Sequence, residues 1–261
     1  MKSAKIEKIR KAGLITKGAV YALLGILTFM AAINVGGKIA GKNGVVSFLQ
    51  QQTFGNILLI ILAIGLLGYA VWRVYAACLD PKNKGSDEKG YAKRIGYLVS
   101  GILYATLSVS TFLTAIGEKQ QGGSTKQQAA ATILDKDYGQ FVLFVIAIIL
   151  FGVAVYQFYK GASKKFLESV QHQGGKEEKE VLEKSGLVGY MARGVAFGIL
   201  GWFVFKAASE NDPNNVGGME AVFGFLSSMT LGNVLMGAMA LGLVAYGVFQ
   251  YFLARYSRAY S

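Results

Sequence analysis

Six continuous apolar stretches follow one another along the chain, separated by polar and charged segments. A helix needs about 20 such residues to cross roughly 30 Å of hydrocarbon, so the pattern predicts six transmembrane helices in an all-α membrane protein. Continuous runs rich in Leu, Ile, Ala and Gly argue against a β-barrel, whose strands alternate over about ten residues. None of the stretches contains an acidic residue; they cover residues 14–33, 57–79, 95–116, 141–159, 187–208 and 234–253.

Small and aromatic residues recur at one spacing near the start of the first, third and fifth stretches. The pattern is Gly, four residues, Gly, two residues, Tyr or Phe, three residues, then Gly or Ser. The last three positions lie on one face of a helix, which predicts close packing of the spans. The three copies are Gly13, Gly18, Tyr21 and Gly25; Gly96, Gly101, Tyr104 and Ser108; and Gly189, Gly194, Phe197 and Gly201.

A second pattern opens the other three stretches. Gly55, Gly139 and Gly232 are each followed by Asn or Gln, and an Arg or Gln stands eighteen residues after each Gly, at Arg73, Gln157 and Gln250. Self-similarity of this kind indicates tandem structural units. The chain therefore divides into three two-helix repeats, residues 1–80, 91–161 and 186–256, with a charged cytoplasmic loop at 162–185.

A short apolar pair precedes each of these glycines in the connection between the two spans of a repeat. Both members stand four residues apart, as on one face of a brief amphipathic helix lying at the membrane interface. The pairs are Val45 and Leu49, Ala129 and Ile133, and Val222 and Leu226.

These motifs make the chain resemble the bacterial membrane family called domain of unknown function 1206, whose members carry three consecutive two-helix transmembrane units. The resemblance covers essentially the whole chain, and Ser108 departs from glycine at one motif position. It implies the architecture only; separately, we expect the protein to lie in a bacterial cytoplasmic membrane. The family has no assigned activity, so the resemblance implies none here.

The basic residues predict an orientation. With the amino terminus inside, 21 of the 27 Lys and Arg residues fall on the cytoplasmic side or at the inner ends of spans. By the positive-inside rule both termini are expected in the cytoplasm. The net charge of +12 then reflects topology and attraction to anionic lipid, and we expect no nucleic-acid partner, because no basic domain stands outside the spans.

All three units enter the membrane in the same direction, which predicts a pseudo-threefold arrangement. Each repeat therefore contributes equivalent polar positions near the inner leaflet. Two interpretations of these positions stand. In one, they only pack and snorkel. In the other, they bind an anionic lipid headgroup, with arginines as forked phosphate donors. The candidate residues are Lys17, Arg73, Arg193, Gln157, Gln250, Trp72 and Tyr156.

Catalytic chemistry is sparse. The spans hold no paired carboxylates and no haem-ligating His pair, and neither Cys78 nor His172 has a Cys or His neighbour at ligand spacing. We expect no enzyme activity, no cofactor and no metal. The favoured function is a lipid-binding or scaffolding protein, or an accessory subunit of an envelope complex with a protein partner in the membrane. The alternative is a passive channel or facilitator along the repeat axis.

Overall fold

The computed structural model describes residues 2–35, 42–79, 88–118, 125–170 and 175–257. In these residues the secondary structure consists of long and short α-helices and two 3₁₀ helices, Lys165–Ser169 and Pro213–Asn215. The α-helices are α1 (Lys2–Ala32), α2 (Lys42–Gln50), α3 (Gly55–Leu79), α4 (Glu88–Ala115), α5 (Thr125–Leu134), α6 (Gly139–Ala162), α7 (Lys176–Glu210), α8 (Met219–Ser227) and α9 (Gly232–Tyr256).

Six of the described helices, α1, α3, α4, α6, α7 and α9, are long and apolar enough to cross a membrane. The six predicted spans are therefore confirmed, and the protein is an all-α membrane protein of three tandem two-span repeats. Successive spans alternate in direction, so α1 begins and α9 ends at the same face of the bundle. We call that face the termini side and the opposite face the loop side.

Each repeat has the same turn between its short helix and its second span. The glycine that opens the span donates its N–H to a carbonyl three residues earlier, at 2.8 Å for Gly55, 2.7 Å for Gly139 and 2.8 Å for Gly232. A side chain at any of the three would collide with a backbone carbonyl at the end of the short helix. Because only glycine lets the two helices approach this closely, the glycine recurs in all three repeats.

The most extensive span contacts join neighbouring repeats: α3 packs on α4, α6 on α7, and α9 on α1. The second glycine of each motif copy makes the approach possible. A Cβ atom would lie 2.8 Å from the Gly247 carbonyl oxygen at Gly18, and 2.9 Å from Val74 at Gly101 and from Phe158 at Gly194. The contact between α9 and α1 joins the third repeat to the first and gives the predicted pseudo-threefold arrangement.

The third small position of the motif makes a second contact between repeats. A Cβ at Gly25 would stand 2.5 Å from the carbonyl oxygen of Ala240. Ser108, where the motif departs from glycine, donates a hydrogen bond to the carbonyl of Ala63 at 2.7 Å. Ala63 and Ala240 occupy equivalent positions in their repeats. The Ser108 hydroxyl therefore bonds the same backbone carbonyl that packs closely against Gly25 in the contact between the third and first repeats. Gly201 faces Phe151 at 3.2 Å.

The loop-side half of the bundle is filled by apolar side chains. Leu24 of α1, Leu243 of α9 and the short-helix residues Val45 and Val222 are fully buried in one cluster. The short helices α2 and α8 thus pack the predicted apolar faces into the bundle, whereas in α5 Ala129 of the predicted pair is exposed and its neighbour Ala130 is buried.

Residues 162–185, interpreted from the sequence as a charged cytoplasmic loop, include a buried anchor. Phe166 in the first 3₁₀ helix is fully buried and stacks on Tyr190 at 5.5 Å between ring centroids. Its ring lies against Gly186, where any side chain would displace it. The last ten residues of this range belong to α7, which begins at Lys176.

Candidate functional site

Three cationic side chains meet inside the termini-side half of the bundle. Lys17 of α1 is only 5% exposed, and its ammonium donates hydrogen bonds to the hydroxyls of Tyr69 and Tyr246, both at 3.2 Å. Arg73 of α3 donates from Nε to the Tyr69 hydroxyl at 2.9 Å. Arg193 of α7 donates to the Tyr246 hydroxyl.

These bonds form one chain through four spans, in the order Arg73, Tyr69, Lys17, Tyr246, Arg193. We call this set of residues the cation cluster. Each tyrosine hydroxyl accepts from Lys17 and from one arginine, so the two arginines are held at fixed places on either side of the lysine. The cluster depends on contact between the first and third repeats, because α1 packs on α9.

Aromatic faces supply part of the stabilisation that buried charges need. The Lys17 ammonium lies 5.0 Å from the ring centroid of Tyr69 and 5.7 Å from that of Tyr104. The Arg73 guanidinium lies 4.9 Å from the ring of Tyr97, and the Arg193 guanidinium lies 4.5 Å from that of Tyr246. Such contacts are worth about 0.5–2 kcal/mol each. They hold the cations without neutralising them.

Donor and acceptor atoms in and beside the cluster are left unpaired. In the described part of the chain, the buried Nε of Arg193 has no hydrogen-bond partner, and neither does the buried Oε1 of Gln250. The carboxylates of the sequence stand away from the middles of the spans: residues 8–79, 89–117, 138–167 and 184–209 contain no Asp or Glu. An unpaired buried guanidinium N–H is costly, so the arrangement favours an added anion that accepts from it.

Of the other residues interpreted from the sequence as one ring, the structure places Gln250 beside the cation cluster and Trp72 and Tyr156 outside it. Gln157 and Gln250 are buried polar side chains, and Gln250 packs beside Gly18. Trp72 is buried outside the cation cluster, stacked on Tyr75 at 5.8 Å and 5.9 Å from the Arg10 guanidinium. Tyr156 is 56% exposed on the surface of α6.

The hydroxyls of Tyr69 and Tyr246 are the functional groups that the sequence interpretation missed. Both tyrosines stand four residues before a predicted ring position, Arg73 or Gln250, and therefore on the same helix face. Tyr69 and Tyr246 occupy equivalent places in repeats one and three, whereas Val153 stands there in repeat two. That shared spacing is the signal that could have found them.

Arg10 is a second residue whose role the sequence interpretation did not give. The sequence indicates only a positive charge at this position, but the side chain is 2% exposed. It pairs with Glu7 at 2.6 Å and donates to the Ser257 hydroxyl at 2.8 Å. Arg10 thus links the beginning of α1 to the end of α9, on the termini side of the cation cluster.

Some residues used in the interpretation fall outside the described part of the chain. His172 is one, and the basic residues Lys38, Lys82, Lys84, Lys119 and Arg258 are others. Among the residues that are described, no group of three or more His, Cys, Asp or Glu side chains could hold a metal ion.

Comparison with known proteins finds a family whose sequence pattern matches most of this chain. The family described as Domain of Unknown Function (DUF1206) matches three times, at residues 12–80, 95–164 and 188–257. An uncharacterized protein of Bacillus subtilis (strain 168), YxxB, is 28% identical over 234 residues, which are 88% of this chain and 84% of that protein. No solved structure matches the chain. The three matches coincide with the three structural repeats and confirm the resemblance, and the chain belongs to the DUF1206 family.

Proposed function

We propose that this protein is a non-enzymatic integral membrane protein that binds one anionic lipid, with the headgroup phosphate at the cation cluster. The unpaired donors of the two arginines support this proposal most strongly. Arg193 has a buried Nε without a partner, and the one hydrogen bond of Arg73 in the described structure goes from Nε to Tyr69. The outer guanidinium nitrogens of Arg73 are therefore available to an anion.

Phosphate suits this set of donors. Guanidinium groups bind phosphate oxygens through paired N–H groups, and charge-assisted bonds of this kind are roughly twice as strong as neutral ones. Arg73 and Arg193 are each joined to Lys17 through one tyrosine hydroxyl, so a phosphate at the cluster would lie among three positive charges. A carboxylate offers fewer oxygens to this set than a phosphate does.

The depth of the cluster fits a headgroup. Arg73 stands eighteen residues after the glycine that opens α3 on the loop side, a rise of about 27 Å at 1.5 Å per residue. Since the hydrocarbon core is about 30 Å thick, Arg73 lies close to its termini-side boundary. Lipid phosphates lie just beyond that boundary.

We further propose that the termini side is cytoplasmic and that the protein lies in the bacterial cytoplasmic membrane. The excess of Lys and Arg on that side supports the orientation, and the cytoplasmic leaflet carries the anionic lipids that the cluster would bind. Lipid binding suits a scaffolding protein, or an accessory subunit with a protein partner in the same membrane.

The alternative of a passive channel along the repeat axis has less support. The clustered apolar side chains of α1, α9 and the short helices lie across the loop-side half of the bundle. A conducting path would need polar or water-accessible surface there.

Native mass spectrometry of protein gently extracted from its own membrane tests the proposal. We expect wild type to carry a lipid-sized anionic adduct, and Arg73→Ala and Arg193→Ala to lose most of it while staying folded. Lys206→Ala is the matched control, because it removes one positive charge at the loop-side end of α7 and should keep the adduct. Equal retention in all four proteins would refute the proposal.

A further inference from the structure

The three repeats differ at the interface between the two spans of one repeat. In the first repeat, Gly13 of α1 packs on Tyr69 of α3, where a Cβ would stand 2.6 Å from the tyrosine Cα. In the third repeat, Gly189 packs on Tyr246 with the same 2.6 Å distance. In both repeats the glycine of one span and the tyrosine of the other thus interlock. The two spans of each repeat, α1 with α3 and α7 with α9, are therefore in contact.

The second repeat lacks this interlock. Gly96 stands at the motif glycine, but nothing lies within 4 Å of a Cβ built there, and Val153 replaces the tyrosine. In the described structure α4 and α6 make almost no contact with each other, although each packs closely on its other neighbour. The ring of spans is therefore open between α4 and α6.

A second pair of positions shows the same difference between repeats: glycine packs closely in the first and third repeats but is replaced in the second. Gly65 packs on Thr16 in the first repeat, and Gly242 packs on Ala192 in the third. The equivalent residues in the second repeat are Ile149 and Val99, which are 57% and 51% exposed. Bulky β-branched side chains at both positions prevent the close approach that glycine allows elsewhere. The opening is thus built into the sequence of the second repeat.

The opening leads toward the cation cluster at its termini-side end. Tyr97 of α4 lies there, with the Arg73 guanidinium 4.9 Å from its ring centroid. On the other flank, Lys160 of α6 holds its ammonium 4.9 Å from the ring centroid of Tyr190, and Tyr156 of the same helix is exposed. The flanks of the opening are therefore apolar along the spans, and basic and aromatic where a headgroup would lie.

We propose that the space between α4 and α6 is the lateral entry through which an anionic phospholipid reaches the cation cluster, with an acyl chain lying against Val99 and Ile149. This inference rests on the proposed function and adds the route and the ligand class to it. A membrane-facing entry with apolar walls fits a lipid better than a soluble anion, which would approach from water. The positive charge beyond the walls fits an anionic headgroup.

Variants that fill the space between α4 and α6 with a large side chain test the proposal. Ile149→Trp places a large ring between α4 and α6, and Val99→Trp does the same from the α4 side. Ile148→Trp is the matched control, because Ile148 is 69% exposed and its equivalents Ile64 and Leu241 are exposed in the other repeats. We measure lipid retained after gentle extraction by native mass spectrometry, with thermal unfolding in the same detergent to check folding.

We expect retained lipid to fall about tenfold, a loss of about 1.4 kcal/mol, in Ile149→Trp and in Val99→Trp, and to be unchanged in Ile148→Trp. Full retention in both filled variants would overturn the lateral entry and leave lipid binding itself intact. A phosphate-sized or protein-sized adduct in place of lipid would also overturn it. A wild type without any adduct would refute the proposed function.

Discussion

Gly25→Ala tests whether the ring of spans depends on contact between the first and third repeats. A Cβ at this position would lie 2.5 Å from the Ala240 carbonyl oxygen, 2.7 Å from Val244 Cγ2 and 2.9 Å from the Val244 backbone nitrogen. Two of these three atoms belong to the backbone of α9. They cannot move away by a rotamer change, so α1 and α9 must separate.

The size of the effect follows from that displacement. A carbon normally approaches a carbonyl oxygen to about 3.3 Å, so the helices must separate locally by about 0.8 Å relative to the 2.5 Å contact. Overpacking of this kind costs about 1–3 kcal/mol, and Ala regains up to about 1 kcal/mol of helix propensity over Gly. We expect a net loss of about 1–2 kcal/mol.

Gly152→Ala is the matched control, because nothing lies within 4 Å of a Cβ at Gly152 on the exposed face of α6. It should be neutral or slightly stabilising through helix propensity. Thermal unfolding in one detergent should place Gly25→Ala below Gly152→Ala by about 5 °C, at about 2–4 °C per kcal/mol for a chain of this size. Equal stability of the two variants would refute the proposed dependence on the α1 and α9 contact.

Three further substitutions probe the repeat turns and the termini side. Gly139→Ala should destabilise the protein, because its Cβ collides with the Ile133 carbonyl; Gly224→Ala, with nothing within 4 Å, should leave the melting temperature unchanged. Phe166→Ala removes a fully buried ring and should cost about 3–5 kcal/mol, measured as a lower midpoint of chemical unfolding. Arg10→Ala removes the ion pair with Glu7 and the hydrogen bond to Ser257, so limited proteolysis should release the chain ends sooner than in Lys8→Ala, which removes an exposed charge of the same helix.

The architecture could be predicted from the sequence because its signals are local. Twenty apolar residues specify a span whatever surrounds them, and a motif repeated three times specifies equivalent units. Which spans pack together could not be predicted, because glycines lie on faces toward both neighbours. Gly13 contacts the second span of its own repeat, while Gly18 contacts the neighbouring repeat.

The candidate site could be predicted in part. Lys17, Arg73 and Arg193 meet near one end of the bundle, as expected from their equivalent depth. The tyrosine hydroxyls that connect them were missed, since aromatic residues near span ends usually form an interfacial belt. Val153 and Ile149 depart from the repeat pattern in the sequence, but only the packing shows that α4 and α6 separate there.

Lipid binding is tested most directly by solid-state NMR, which detects the contact between lipid phosphorus and the arginine guanidinium carbons. The protein, with arginine Cζ labelled by ¹³C, is reconstituted in vesicles of phosphatidylglycerol. We predict that phosphorus attenuates the Cζ signals of Arg73 and Arg193, assigned by their loss in Arg73→Met and Arg193→Met. Unattenuated signals from both arginines in these anionic vesicles would contradict a headgroup at the cation cluster.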